Sequence, residues 1–326
     1  MNQISKKHHY LPQFYVEGFT NADGKVFVLD HKKDTVNEQG KNGTFHKYKF
    51  YSVDFSKYSK RDPESAQKIK ESLGIADVDT SHVEEYPDMI EDLLGDAETV
   101  SAPILKKLIS GQKITNSERI EFSTFLSFMY TRNPKFHQFV TEFEEKMTEK
   151  EMEHIFSSEE KIGELYKKMQ EEDGYEKEID TAELFKFVQE KRYKVSIPKE
   201  SNIEVMLMMT TFIDQILYHK TWFIVEAPKE TSFISNDNPL FLDHPLLYSE
   251  SAYSVGFQTP DVKVIFPLSK ERLLIMRDTD HGAITISDRV DRKMVRELNK
   301  IIFLRSGNHV FGRDEALVLS IKNMFV

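Results

Sequence analysis

The apolar residues of this chain change their spacing twice, and that change limits the fold more than any other feature of its 326 residues. Near the start, Lys25-Val26-Phe27-Val28-Leu29-Asp30 reads as a strand, rich in β-branched and aromatic residues and preceded by the turn-forming Asn21-Ala22-Asp23-Gly24. A second strand is expected around residues 47–53, with Gly40, Gly43 and their polar neighbours as the loop between. From about Ser65 to His219 the period becomes helical. Ile90, Leu93, Leu94, Ala97 and Val100 recur at the three- and four-residue intervals of one buried helix face. After His219 short strand-like runs return at Trp222–Val225, Ser232–Ile234, Val262–Phe266 and Leu273–Met276. A helix over about Asp288–Phe303 and a strand at His309–Phe311 follow. This order lacks βαβ alternation and predicts an α+β fold, in which an N-terminal hairpin and C-terminal strands form a mixed sheet around a large helical insertion. A single elaborated domain, 1–326, is expected, with strands in 1–60, helices in 65–219, and strands and helices in 220–326.

Within the helical stretch, Thr115 and Glu118 stand at the offset of a capping box. The helix they open carries Ile120, Phe122, Phe125, Leu126, Phe128 and Met129, apolar around much of its circumference, and is expected to be central until Pro134 interrupts it. Residues 143–192 are dense in Glu and Lys at i, i+4 spacing over a thin apolar stripe. Solvated helices are the plain reading, and an acidic protein-docking arm the sharper one. Asn202–Tyr218 reads as another buried helix.

Apolar residues make up 39% of the chain, enough for a large core. There is no cysteine, so disulfides, thiolate metal sites and cysteine nucleophiles are excluded, and a reducing cytoplasm fits. The net charge of −10 argues against wholesale coating of nucleic acid but leaves room for a local basic site. The start of the chain lacks the apolar stretch of a secretory signal, and no apolar run approaches the ~20 residues of a membrane span. A soluble cytoplasmic protein is expected.

The string Lys7-His8-His9-Tyr10-Leu11-Pro12-Gln13-Phe14-Tyr15 resembles the opening of the domain of unknown function 4238 family. Further likenesses follow in order: Gly24–Asp30, Glu98 with Leu105, Arg132-Asn133-Pro134, Phe233–Pro239, Phe266–Ser269 and Leu298-Asn299. One departure stands out, because Asn236 separates Ser235 from Asp237 where the family pattern has Ser directly before Asp. The resemblance spans nearly the whole chain and implies candidate positions without an activity.

Those positions carry usable chemistry. His8 and His9 point to opposite faces if they lie on a strand, so one of them facing a cleft would supply a side chain that titrates near neutral pH. A packed histidine with a satisfied ring nitrogen is the plainer alternative. Tyr10, Gln13 and Tyr15 beside them suit a binding-pocket wall. Asp237 and Asn238 sit in a strand-end turn, where they either cap backbone groups or present a carboxylate and an amide. Arg132 is paired with an acid, Glu98 being the candidate, or clamps an anion. Asp237 and Glu98, with a histidine, would be chemically adequate ligands for Mg²⁺, Mn²⁺ or Zn²⁺.

No zinc-helix, nucleophile-elbow or dinucleotide motif occurs, and Gly18–Val26 misses the phosphate-loop pattern in spacing and in its last residue. Two functions remain. One is a phosphodiester hydrolase, an RNA or DNA nuclease of defensive or toxin-like kind, with His8, His9, Arg132 and Asp237 as catalytic residues and Lys6 and Lys7 attracting phosphate. The other is a non-catalytic sensor or binding module that engages a protein or nucleotide.

Overall fold

A computed structural model describes residues 7–41, 43, 45–74, 76–77, 89–173, 178–248, 255–279 and 284–325. Lys6 lies outside them. The first elements are strand β1 (Lys7–His9), helix α1 (Gln13–Glu17), strands β2 (Lys25–Asp30), β3 (Thr35–Gly40) and β4 (His46–Tyr48), and helices α2 (Phe55–Arg61) and α3 (Pro63–Ser72). Six long or middle helices follow: α4 (Met89–Ile109), α5 (Asn116–Thr131), α6 (Pro134–Ile155), α7 (Glu159–Asp173), α8 (Thr181–Gln189) and α9 (Lys199–His219). Then come β5 (Thr221–Glu226), β6 (Ser235–Asn236), β7 (Phe241–Asp243), β8 (Lys263–Pro267), β9 (Arg272–Arg277), β10 (Ile284–Arg289), α10 (Arg292–Leu304), β11 (His309–Gly312) and α11 (Glu315–Lys322). Among the described residues no helix is long and apolar enough to cross a membrane.

The fold is α+β. The strands divide between sheets in a way that the hydrophobic pattern did not resolve. The N-terminal hairpin does join C-terminal strands, in the antiparallel order β3-β2-β11-β6. A second sheet, β10-β5-β9-β8-β7, is mixed, because β10 runs parallel to β5 while the other pairs are antiparallel. The small pair β1–β4 aligns His9 with His46.

Four local expectations need correction. Residues 35–40, read as loop, form β3; this strand is largely exposed and its Thr-Val-Asn-Glu-Gln-Gly sequence has no alternation to detect. The strand expected over 47–53 stops at Tyr48, where Lys49 takes a φ of 44° and turns the chain. The strand expected at 232–234 lies instead at Ser235–Asn236. The last long helix starts later than expected, at Arg292, because the Asp291 side chain accepts from the Met294 N–H and caps it there.

Contacts divide the chain into two compact units, Met1–Phe136 with Ile203–Val326, and His137–Asn202. In the larger unit Leu11, Tyr15, Val16 and Phe19 are buried with Phe122, Phe125, Trp222, Phe266 and Phe311 in one core. The N-terminal segment is therefore core material, as its aromatic content predicts. The capping box forms, with Glu118 N–H on Thr115 Oγ1 and Thr115 N–H on Glu118 Oε2. The smaller unit contains α7 and α8 and most of α6. Its buried side chains include Val140, Ile162 and Val188, the thin stripe read from the sequence.

Candidate functional site

The larger unit brings the family-like segments into one polar network, and the network has two parts. The inner part is built on Tyr51. Its backbone N–H donates to His8 Nδ1 at 3.0 Å, its ring stacks on the His8 ring, and its hydroxyl donates to the Arg132 carbonyl. The Arg132 guanidinium, fully buried at the C-cap of α5, donates through Nη1 to Glu98 Oε1 at 2.7 Å. Glu98 is the acidic partner that the sequence suggested.

His8 is fully buried and its Nδ1 is an acceptor, so its proton sits on Nε2. This matches the packed-histidine reading. The same nitrogen lies 3.7 Å from Glu91 Oε1, a separation that would count as an ion pair only in a protonated ring. Arg132 is likewise held inside the protein. Gln13 is exposed in the first turn of α1, and the Tyr15 hydroxyl is buried against Ser235 Oγ at 2.7 Å. Burial raises the Tyr15 hydroxyl far above the ordinary tyrosine range. His9 is half-buried with its ring 5.5 Å from that of His46.

The outer part surrounds Asp237. Its turn is stapled from behind: Asn236 Nδ2 donates to the Ile302 carbonyl, and Asn236 Oδ1 accepts from the Asn238 N–H. Asn133 Nδ2 donates to Asn238 Oδ1 at 2.8 Å, which ties the Arg-Asn-Pro segment to this turn. Asn299 clasps the same strand, accepting from Ile234 N–H and donating to the Ser232 carbonyl. The carboxylate of Asp237 accepts from Gly307 N–H and Asn308 N–H at 2.7 Å each, and His309 Nδ1 lies 3.4 Å away. A Cβ on Gly307 would meet the carboxylate at 3.1 Å, a tight contact that glycine avoids. Burial opposes the charge on Asp237, but the hydrogen bonds from His309, Asn308 and Gly307 outweigh it and hold the carboxyl below its usual range.

Near Asp237 stand groups that the sequence pattern did not single out. Lys135 Nζ reaches the Arg305 and Ser306 carbonyls. The Arg305 guanidinium stacks on the Tyr248 ring at 4.6 Å, and its buried Nε and Nη2 atoms have no hydrogen-bond partner. Lys47 lies over the Phe50 ring. The charge of Asp237 is felt at Tyr10, His31, Lys47 and Lys135. Burial, then this negative charge, pushes the Tyr10 hydroxyl up. Burial also lowers Lys135, against the attraction of Asp237.

His31 is the most informative of these residues. Its Nε2 is 2.8 Å from Ser306 Oγ, and that hydroxyl donates its single hydrogen to the Phe303 carbonyl at 2.6 Å. Ser306 therefore accepts from His31 Nε2–H, which leaves Nδ1 with the lone pair in the neutral ring. Burial is the main cause that lowers the His31 pKa, and the neighbouring His309 acts in the same direction. His309 itself lies between two carboxylates, with Nε2 3.8 Å from Asp30 Oδ2. Phe45, buried against His309 and Phe311, holds a φ of 57°, an uncommon conformation for an aromatic residue. Its carbonyl accepts from the Tyr10 N–H.

Glu98 and Asp237 are each committed to protein partners. Among the described residues no group of three His, Asp or Glu side chains is arranged to hold a metal ion. The missed residues had a weak signal: His31 directly follows a strand, Lys135 follows Arg-Asn-Pro, and Arg305 follows the last long helix.

The model of a family described as Protein of unknown function (DUF4238) matches residues 7–316. Searches among curated proteins and solved structures return no match.

Proposed function

The chain belongs to the DUF4238 family, and we propose that it binds a phosphate-bearing ligand at the basic ring around Asp237 and cleaves a phosphodiester there. The observation that carries this reading is the gathering of Lys47, Lys135, His31 and His309 near Asp237, with Arg305 beside Lys135, in a chain whose net charge is −10. The Arg305 Nε and Nη2 donors are unpartnered but buried, with the guanidinium against the Tyr248 ring, so a phosphate would use this fork only once that ring turned aside. His31, neutral at pH 7 with its lone pair on Nδ1, has the form required of a general base. Asp237 holds the Gly307–His309 backbone and orients His309 as the candidate acid. His8, His9 and Arg132 then act behind the site, positioning the segments that carry it. Nucleic acid is the proposed substrate class, because its repeated phosphates suit several cations at once.

A binding role without catalysis is favoured by one observation: the Ser235–Asn238 turn spends its polar side chains on hydrogen bonds within the protein. A cleavage assay separates the two. Purified protein is incubated with labelled RNA and DNA in Mg²⁺, Mn²⁺, Zn²⁺ or chelator. Cleavage by the wild type, reduced by roughly 10²–10⁴-fold in a folded His31→Asn variant, is expected for general base catalysis. Oligonucleotide binding without cleavage under every condition would support the sensor reading instead.

A further inference from the structure

A separate cleft of about 310 Å³ lies between α10 and α11 and is lined by residues from Glu230 to Met324. Its walls are apolar: Val295 from α10 faces Leu317 and Ile321 from α11, and Met324 closes one side. Its size falls at the lower end of the range for small-molecule sites. Two features set it apart from a packing defect. Ser232 lines it, is 2% exposed, and its Oγ has no hydrogen-bond partner, an arrangement that is costly unless something else satisfies the hydroxyl. Two guanidiniums also line the cleft. Arg292 is engaged with Glu230 at 3.2 Å, whereas Arg296 has no ion-pair partner among the described residues and leans through Nε on the Met324 sulfur at 3.4 Å.

We propose that this cleft binds a small amphipathic carboxylate, with its alkyl chain between α10 and α11 and its carboxylate on Arg296. The apolar walls gain by removing the chain from water, and the unpaired guanidinium offers a charge-assisted, two-point contact for the head. An uncharged chain of the same length lacks that contact. A phosphate alone lacks the apolar part.

The test is isothermal titration of the full-length protein with octanoate, with octanol as the uncharged comparison. Saturable one-site binding of octanoate is expected, with octanol weaker by about a few-fold, the worth of an ion pair to an exposed guanidinium. Arg296→Gln should bring octanoate down toward octanol. Ser320→Phe, placed at the exposed edge of the cleft and checked for folding by circular dichroism, should abolish binding of both by filling the space. Absence of saturable octanoate binding to the wild type would overturn the proposal. So would equal affinity for octanol, or undiminished octanoate binding in folded Ser320→Phe.

Discussion

At the scale of single residues, the buried charges of Arg132 and Asp237 have partners and would be costly without them. Glu98→Ala would strand the Arg132 guanidinium, which is 1% exposed, so a loss of about 3 kcal/mol in urea unfolding is expected. Asp237→Asn removes the ionised acceptor of two backbone N–H groups. It should cost about 1.5–3 kcal/mol at pH 7. Because the folded pKa of Asp237 is depressed, this contribution is complete above the unfolded value of ~3.9 and fades as pH falls through the lower folded value. His31 gives a second window nearer neutrality. Its folded pKa lies below the unfolded ~6.5, so the unfolded chain binds more protons just below that pH, and stability falls as pH drops from there through the folded value. Unfolding measured from pH 7.5 to 5 should show a shallower acid limb for His31→Gln than for the wild type. An equal slope would mean that His31 titrates in the folded protein as it does in the unfolded chain.

At the scale of elements, the ends and the middle of the chain should answer differently to change. Tyr10, Leu11 and Tyr15 are buried in the main core, and each contributes roughly 1.5–3 kcal/mol by burial. Truncation before Val16 should therefore remove most of a typical stability of 5–15 kcal/mol, seen as loss of a cooperative melting transition. The unit His137–Asn202 offers the contrast. Glu151, Glu160 and Glu164 are exposed on α6 and α7, and exposed substitutions of this kind usually stay within about 0.5 kcal/mol. Reversing all three to Lys should leave the melting temperature within a few degrees. A collapse would show that these helices depend on their charge pattern.

At the scale of the whole molecule, the sequence was most legible where the signal is local. Thr115 and Glu118 announce their helix, the aromatic string Tyr10–Phe19 announces a core, and Glu98 with Arg132 announces an ion pair. It was least legible where strands pair across the chain. Nothing near Asp30 indicates that Leu29 will lie opposite Val310, or that His309 will reach both Asp30 and Asp237. The family-like motif marks His8 and Arg132 because they are polar, although both are buried and bonded within the interior through His8 Nδ1 and Arg132 Nη1. The basic ring is not legible in the sequence because its members come from four separate segments, each ordinary by itself. That ring is the central claim, and the salt dependence of oligonucleotide binding tests it most directly. Affinity for a labelled single strand, measured by fluorescence anisotropy across salt concentrations, gives a slope set by the phosphates neutralised. If Lys47, Lys135 and Arg305 each contact one, replacing all three with Ala in a folded variant should weaken binding and flatten the slope by about 2, at ~0.7 per phosphate. A slope unchanged by the triple substitution would contradict the account.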